Sequence, residues 1–268
     1  MAEANLFLTG SDLVLMPETA APAKGTLPEG ARTEADASRQ VCEMFTQIAP
    51  RYDLLNHLLS MQLDRVWRAR VARRLRPILD RPDAVVLDLC CGTGDLAFSL
   101  ARSARARIVG ADFSHAMLVR ARAKSAATGS SAVPFFEADA LSLPLANSSL
   151  DLVTTAFGFR NLANYENGLR EFARVLKPGG TLAILEFTEP PDGLMGNLYR
   201  WYCRTLLPRI GGLISGNAAA YEYLPHSVSR FFQPPELAAL MTQVGYATPK
   251  WEALTFGSVA LHIAKTNA

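Results

Sequence analysis

From about position 82 onward the chain alternates short apolar runs with longer amphipathic ones, and this alternation limits the available folds more than any motif does. The apolar runs are AVVLDLC (84–90), RIVGAD (107–112), VPFFEAD (133–139), LDLVTTAF (150–157) and GTLAILEF (180–187). Between them DLAFSLARS (95–103), SHAMLVRARAKSAA (114–127) and YENGLREFARVL (165–176) carry helical spacing. Near-continuous apolar strands alternating with helices predict a parallel sheet covered on both faces. KPGG at 177–180 reads as a helix stop, with lysine in the last turn and then proline and glycine. PPELAALMTQVGY then predicts a helix opened by proline, and WEALTFGSVALHIAKT predicts two closing strands. The expectation is an α/β fold with a Rossmann-like, seven-stranded sheet.

The flanks read differently. Residues 1–34 are rich in Ala, Pro, Gly, Glu and Thr with little periodicity, which predicts a disordered tail. Residues 35–268 then form a single domain. Helices at its N-terminus (35–80) precede a ligand-binding core (82–189), a helical insertion (190–232) and a segment that completes the core (233–268). In the first of these, Leu55, Leu58, Leu59, Val66 and Trp67 recur at intervals of three and four, as one buried helical face does.

A net charge of only +2 argues against a nucleic-acid partner. Cys42, Cys90, Cys91 and Cys203 form no C-x-x-C and no zinc-spaced cluster with histidine, so no metal is expected and the thiols read as core residues of a reducing compartment. The N-terminus lacks the basic start of a signal peptide, and no apolar run is long enough for a membrane span, so a cytoplasmic location is expected, one compatible with peripheral contact at the inner face of the membrane.

The turn after the first strand, Gly92-Thr93-Gly94-Asp-Leu-Ala97, is followed by Asp112 at the end of the second strand. Glycines there permit a tight turn and close approach of a ligand, and the acid can accept both hydroxyls of a ribose. NAD and S-adenosylmethionine both carry that ribose, so the loop by itself does not separate them. Three further features do. Asp88 lies on the strand four residues before Gly92. EADA (137–140) puts an acid, Asp139, at the carboxyl end of the third strand. RVLKPGGTLAILEF supplies the helix, turn and strand after the fourth strand. Together they resemble the class I S-adenosylmethionine-dependent methyltransferases.

YDLLNHLLSMQLDRVWR (52–68), LDLCCGTGD (87–95), FGFRN (157–161), RVLKPGGTLAILEFT (174–188) and LPRIGGLIS…YEYLPHS (207–227) sharpen the likeness. These blocks resemble the ubiquinone/menaquinone biosynthesis C-methyltransferase family, UbiE/MenG, from about Val41 to Lys265. Three departures stand out: Asp64 where the family usually has histidine, Thr188 where serine is frequent, and Ala156 where some members carry a hydroxyl. The resemblance implies methylation of a ring carbon of a prenylated quinol by S-adenosylmethionine, with demethylmenaquinol favoured over a ubiquinone precursor. Other small-molecule acceptors, a nicotinamide oxidoreductase and a non-catalytic subunit of a quinone pathway are the competing readings.

The resemblance also implies site residues. Asp88, Gly92, Thr93, Gly94, Asp112, Asp139, Ala140 and Ala156 are expected at the cosubstrate. Ala156 is expected there through its backbone, and helix capping is an alternative use for Asp112 and Asp139. Arg160 and Asn161 are expected at the acceptor, the arginine stabilising a developing quinolate oxygen and the asparagine holding the ring or a bridging water. Tyr52, Tyr221, Tyr223 and His226 rank below them, and Asp53 and Asn56 are candidates to shape a lid. His57, His115 and His262 read as structural or exposed. Segment 194–214, where Trp201 and Tyr202 lie beside Arg200, Arg204 and Arg209, is expected to form an apolar channel or a membrane-facing lid for the prenyl tail. The sequence is also compatible with a homodimer.

Overall fold

The computed structural model describes residues 25, 26, 28, 30–102, 104–128, 133–202, 205 and 226–267, with the side chains of Leu55, Leu58, Leu59, Leu194, Met195, Leu198 and Tyr199 outside that description. Seven strands form one sheet: β1 (Val85–Leu89), β2 (Arg107–Asp112), β3 (Phe135–Glu137), β4 (Leu150–Ala156), β5 (Leu176–Phe187), β6 (Tyr246–Leu254) and β7 (Val259–Thr266). Their spatial order is β3-β2-β1-β4-β5-β7-β6. The first five are parallel, and β7 inserts antiparallel between β5 and β6. The order reverses between β1 and β4, so a crevice opens at their carboxyl ends, where ligands of such sheets bind.

Alternation along the strands sorts the core into two layers. Leu87, Leu89, Val153, Leu182 and Ile184 face one layer with Phe159, Leu169 and Phe172. Val86, Leu152, Ala183 and Leu185 face the other with Leu96, Leu100 and Trp67. On the first side lie α7 (Tyr165–Val175) and α9 (Pro234–Val244). On the second lie α5 (Asp95–Ala101) and α6 (His115–Thr128).

Before the sheet come α1 (Glu34–Ile48), capped by the Thr33 side chain, α2 (Tyr52–Leu59), α3 (Leu63–Arg74) and α4 (Arg76–Leu79). Trp67 docks α3 on the ends of β4 and β5, with its ring centroid 5.8 Å from that of Phe157 and 6.0 Å from that of Phe187. α8 (Leu194–Trp201) follows β5.

The structure departs from the sequence reading in three places. α7 ends at Val175, just before KPGG, as a helix stop requires, but KPGG is not a turn outside the sheet. It lies within β5, out of register between the Leu150–Leu176 and Leu152–Thr181 pairs, and Gly179 has a φ of +71°. Val66 does not share the buried face of Trp67 but is exposed, while Leu55, Leu58 and Leu59 lie outside the described side chains. The expected tail, otherwise largely outside the described residues, is tied to the domain where it is described: Gly25 and Thr26 donate backbone hydrogen bonds to the carbonyls of Ala163 and Leu162 at 3.1 and 2.8 Å, and Glu34 accepts from the Asn164 side chain at 2.8 Å. A Cβ on Gly25 would lie 2.0 Å from the Leu162 carbonyl oxygen, so only glycine fits that approach. Most of the 190–232 insertion, including Cys203, Arg204, Leu206, Leu207, Arg209, Ile210, Tyr221 and Tyr223, lies outside the described residues.

Candidate active site

A crevice of about 640 Å³ runs along the carboxyl ends of β2, β1 and β4, lined on the sheet side by Gly92, Asp112, Asp139, Ala140 and Asn161. Phe113, Met117 and Leu141 supply apolar walls, and Ser38, Phe45 and Tyr52 cover it from α1 and α2. A second, more polar pocket lies on the other side of the glycine turn, lined by Tyr52, Asn56, Arg68, Asp88, Thr93, Asp95 and Ala156. Cys90 and Phe157 border both.

Backbone groups hold the first crevice. Asp112 is buried, and each of its oxygens takes one N–H: Oδ2 from Gly92 at 2.8 Å and Oδ1 from Ser114 at 2.9 Å. The cap and the ligand-facing uses of Asp112 are therefore not alternatives. One side chain ties the glycine turn to the end of β2 and still lines the crevice, because each carboxylate oxygen accepts more than one donor. Burial pushes this carboxyl up to about 6, against the N–H groups of Ser114 and Gly92. Asp139 is exposed, accepts the Leu141 N–H at 2.9 Å, and stands beside the buried Ala140. Asp88 is buried on β1. Its Oδ1 accepts from Thr154 at 2.9 Å, while its Oδ2 has no hydrogen-bond partner among the described residues. Burial raises this carboxyl to about 7.

Gly94 stands apart from the other cosubstrate candidates, because it lines neither pocket. Its φ of +86° opens α5, and a Cβ there would lie 2.9 Å from the Phe98 ring and 3.0 Å from the Phe135 ring. It serves the turn and its packing instead of direct contact. Cys90 departs in the opposite sense. Expected in the core, it lines both pockets with a left-handed φ of +54°, and burial holds its thiol well above the usual range.

Arg160 requires a correction. The sequence reading put its guanidinium at the acceptor, but Arg160 does not line the crevice. It is buried, and Nη1 donates to Glu186 Oε1 at 2.6 Å and to the Phe157 carbonyl at 2.7 Å. Nε reaches Ser227 at 3.3 Å, and the guanidinium lies 5.4 Å from the Phe187 ring centroid. Glu186 Oε2 accepts the Arg160 N–H, and the Tyr165 hydroxyl donates to the Arg160 carbonyl. A buried carboxylate drew the arginine inward, and this network clamps the 3-10 turn Phe159–Asn161, leaving Asn161 on the crevice wall. The one sequence sign of Glu186 was an acid inside an otherwise apolar strand.

The second pocket brings together the expected Asp88, Thr93 and Ala156 with charged side chains that the sequence reading passed over, Arg68 and Asp95 among its walls and Lys124 behind them. Asp53 on α2 accepts a hydrogen bond from the Thr93 hydroxyl and pairs with Lys124 at 2.9 Å. Lys124 also meets Thr93 at 3.0 Å and Asp95 at 2.6 Å. Arg68 pairs with Asp64, its neighbour one turn earlier on α3, and with Asp95 at 3.1 Å. His57 Nδ1 lies 2.7 Å from Asp64. Asp64, left without a role by the sequence, thus joins a network tying α2 and α3 to the glycine turn. Single oxygen or nitrogen atoms of His57, Asp64 and Asp95 lie within 4.8 Å of one another, and the Arg68 guanidinium bonds both carboxylates. Burial works to raise Asp95, but Arg68 and Lys124 together outweigh it and hold the carboxyl below its ordinary value. Burial pushes the Tyr52 phenol up to about 12.

The remaining candidates lie away from the crevice. His262 is buried and bonded through Nε2 to the Pro234 carbonyl, and His115 is exposed beside Glu137. His226 is exposed. Arg200, expected to face lipid headgroups, bonds Asp192, Asn197 and the Pro190 carbonyl.

S-adenosylmethionine fits this site. A carboxylate at the end of β2 is poised for ribose hydroxyls, apolar walls suit an adenine, and an unpartnered buried carboxylate oxygen lies on the far side of the turn. The model of the ubiE/COQ5 methyltransferase family matches residues 32–266. A demethylmenaquinone methyltransferase of Thermus thermophilus is 51% identical over 82% of this chain and 98% of its own. The ubiquinone/menaquinone biosynthesis C-methyltransferase UbiE of Syntrophotalea carbinolica is 44% identical over 82% and 91%. Among solved structures, a SAM-dependent methyltransferase of Thermotoga maritima superimposes with a TM-score of 0.60 at 18% identity, over 84% of this chain and 99% of its own, which establishes the shared fold. Fold, crevice and sequence agree: this chain belongs to the ubiE/COQ5 methyltransferase family and is an S-adenosylmethionine-dependent methyltransferase.

Proposed function

We propose that this methyltransferase C-methylates the ring of a prenylated quinol, demethylmenaquinol in preference to a ubiquinone precursor. The observation that carries the reading is the clamped turn Phe159–Asn161, which sets an amide on the crevice wall opposite the carboxylate end formed by Asp112 and Asp139. The relatives named for demethylmenaquinone support the naphthoquinol.

When bound, S-adenosylmethionine supplies a methyl group that is already electrophilic. The chain's residues hold and align the reactants. Asp112 accepts the ribose hydroxyls, Asp139 and Ala140 border the adenine, and Gly92 and Thr93 bring the turn close to the cosubstrate. Asp88 Oδ2 and the backbone at Ala156 face its amino-acid end. Alignment of donor and acceptor in one line contributes roughly 7–11 kcal/mol at best. Asn161 orients the quinol oxygen, so that electron density moves onto the adjacent ring carbon as the hydroxyl gives up its proton. Arg160 acts through Glu186 and the turn, as a positioning residue. The apolar rings at the crevice mouth, Phe45 and Phe157, suit the quinol and the start of its tail.

Labelled S-adenosylmethionine offered with demethylmenaquinol and with a methoxy-polyprenyl benzoquinol tests the acceptor. A labelled menaquinol is expected as the major product. Label in the benzoquinol alone overturns the preference, and label in neither overturns the quinol reading.

A further inference from the structure

A surface helix ordinarily turns its apolar side to the core and its charges to water. Here the two acids between residues 52 and 74 both point inward, Asp53 to Lys124 and Asp64 to Arg68. Trp67 and Val71 take the ordinary inward course, but three large apolar residues point outward: Leu54 is 60% exposed, Met61 66% and Val66 62%. Met61 lies in the turn between α2, which carries Leu54, and α3. It directly precedes the residue that caps α3, and Val66 is the fourth residue of that helix, so the two hold positions that lie side by side at a helix start.

Phe256 extends the patch. Trp67, the neighbour of Val66, donates from Nε1 to the Thr255 hydroxyl at 2.8 Å, which brings the 3-10 turn Thr255–Gly257 against α3. Phe256 sits in that turn with a left-handed φ of +55° and is 69% exposed. A bulky residue is strained there, and its exposed ring gains no burial in return. Two exposed arginines on α3, Arg65 and Arg73, have no acid partner among the described residues. Apolar side chains interleaved with unpaired arginines match a bilayer interface, where the first enter the acyl boundary and the second meet phosphates.

We propose that Leu54, Met61, Val66 and Phe256, with Arg65 and Arg73, form the surface by which this methyltransferase docks on an anionic lipid bilayer. The same helices cover the crevice, so docking would set the crevice against the membrane that holds a prenylated acceptor. The purpose of docking rests on the quinol reading, but its evidence does not.

The test is flotation of the full chain with phosphatidylglycerol/phosphatidylcholine vesicles that contain neither quinone nor S-adenosylmethionine. Binding is expected to rise with phosphatidylglycerol content and to fall with salt. The double variant Met61→Ser/Val66→Ser should lose about tenfold or more in partitioning, and Met61→Leu/Val66→Leu should keep it. Arg65→Gln/Arg73→Gln should flatten the salt dependence. Circular dichroism and turnover of a short-tailed, water-soluble quinol should remain unchanged in all of them. Wild-type protein that ignores anionic vesicles, or a serine variant that partitions as the wild type does, overturns the proposal. So does a serine variant that dissociates a dimer in sedimentation while vesicle binding persists, because a second copy then covers the patch. Absence of turnover with the soluble quinol strikes at the acceptor reading and leaves vesicle binding to decide the docking surface.

Discussion

The two sides of the glycine turn are held by different forces. Toward β2, the crevice rests on backbone N–H groups locked onto the Asp112 carboxylate and on strands whose side chains fill both core layers. Toward α2 and α3, the second pocket rests on long charged side chains, Lys124, Arg68, Asp53 and Asp95, several of them partly exposed. Backbone bonds within a packed sheet feel little of the solvent, whereas partly exposed ion pairs weaken as salt screens them. One half of the site is therefore a preformed floor. The other is a cover held by ion pairs that salt weakens.

The comparison breaks most visibly if the clamp beneath the floor is removed. Arg160→Met leaves Glu186 charged and buried without its partner, and should lower unfolding free energy by about 3–5 kcal/mol in urea titrations. Adding Glu186→Gln should recover much of that loss. In whatever folded fraction remains, turnover should fall far more than S-adenosylmethionine affinity. Equal loss of both would count against a positioning role at the acceptor.

Next in size is the floor's own carboxylate. Asp112→Ala should weaken S-adenosylmethionine binding by roughly 100-fold, the scale of losing charge-assisted hydrogen bonds to two hydroxyls. In the native protein the same affinity should decline as pH falls through about 6, where Asp112 takes up its proton. Titration calorimetry reads both effects, and unchanged affinity in the variant would remove Asp112 from the cosubstrate site.

Asp88 offers a smaller effect with a definite sign. Its folded carboxyl is raised to about 7 by burial, so it binds a proton more tightly in the folded chain than in the unfolded one. Its contribution to stability is present in full below about pH 4 and is lost as pH rises through about 7. Asp88→Asn should therefore stabilise the ligand-free protein at pH 8 by about 2 kcal/mol, less than the ~4 kcal/mol of the full shift because the amide buries donors of its own. The gain should vanish toward pH 4. A variant that is less stable than the parent at pH 8 would show that the unpartnered oxygen is tolerated at no cost.

The smallest effect separates the two halves directly. In 1 M salt, amide exchange across residues 52–60 should quicken while residues 85–94 keep their protection, and His57→Gln should mimic the salt by less than about 1 kcal/mol. Equal acceleration of both stretches would mean that cover and floor open as one unit.

How much of this was legible beforehand follows the same division. The strands and their order of appearance were readable because a doubly covered sheet needs unbroken apolar runs, and the glycine turn with Asp112 was readable because that geometry admits few residue types. Val66 was misread because a spacing of three and four marks a helical face without saying which face meets the core. KPGG was legible as the stop of α7 but not as part of a strand, because a proline-glycine run signals a break, and a bulge inside β5 satisfies that signal as well as a loop before it does. Arg160 was aimed wrongly, since its partner Glu186 is remote in sequence and only the pairing of β4 with β5 brings the two together.

The sequence by itself determined the alternation of strands and helices, the sheet covered on both faces and the residues available at the strand ends, because each follows from local periodicity and from residues adjacent along one turn. The tertiary structure decided where the charges go: that Arg160 turns to Glu186, that Asp53 and Asp64 turn inward, and that Leu54, Met61, Val66 and Phe256 are left outside. Those outcomes depend on which distant side chain can neutralise a desolvated charge, and that partner is chosen by distance in space, which one-dimensional spacing does not record.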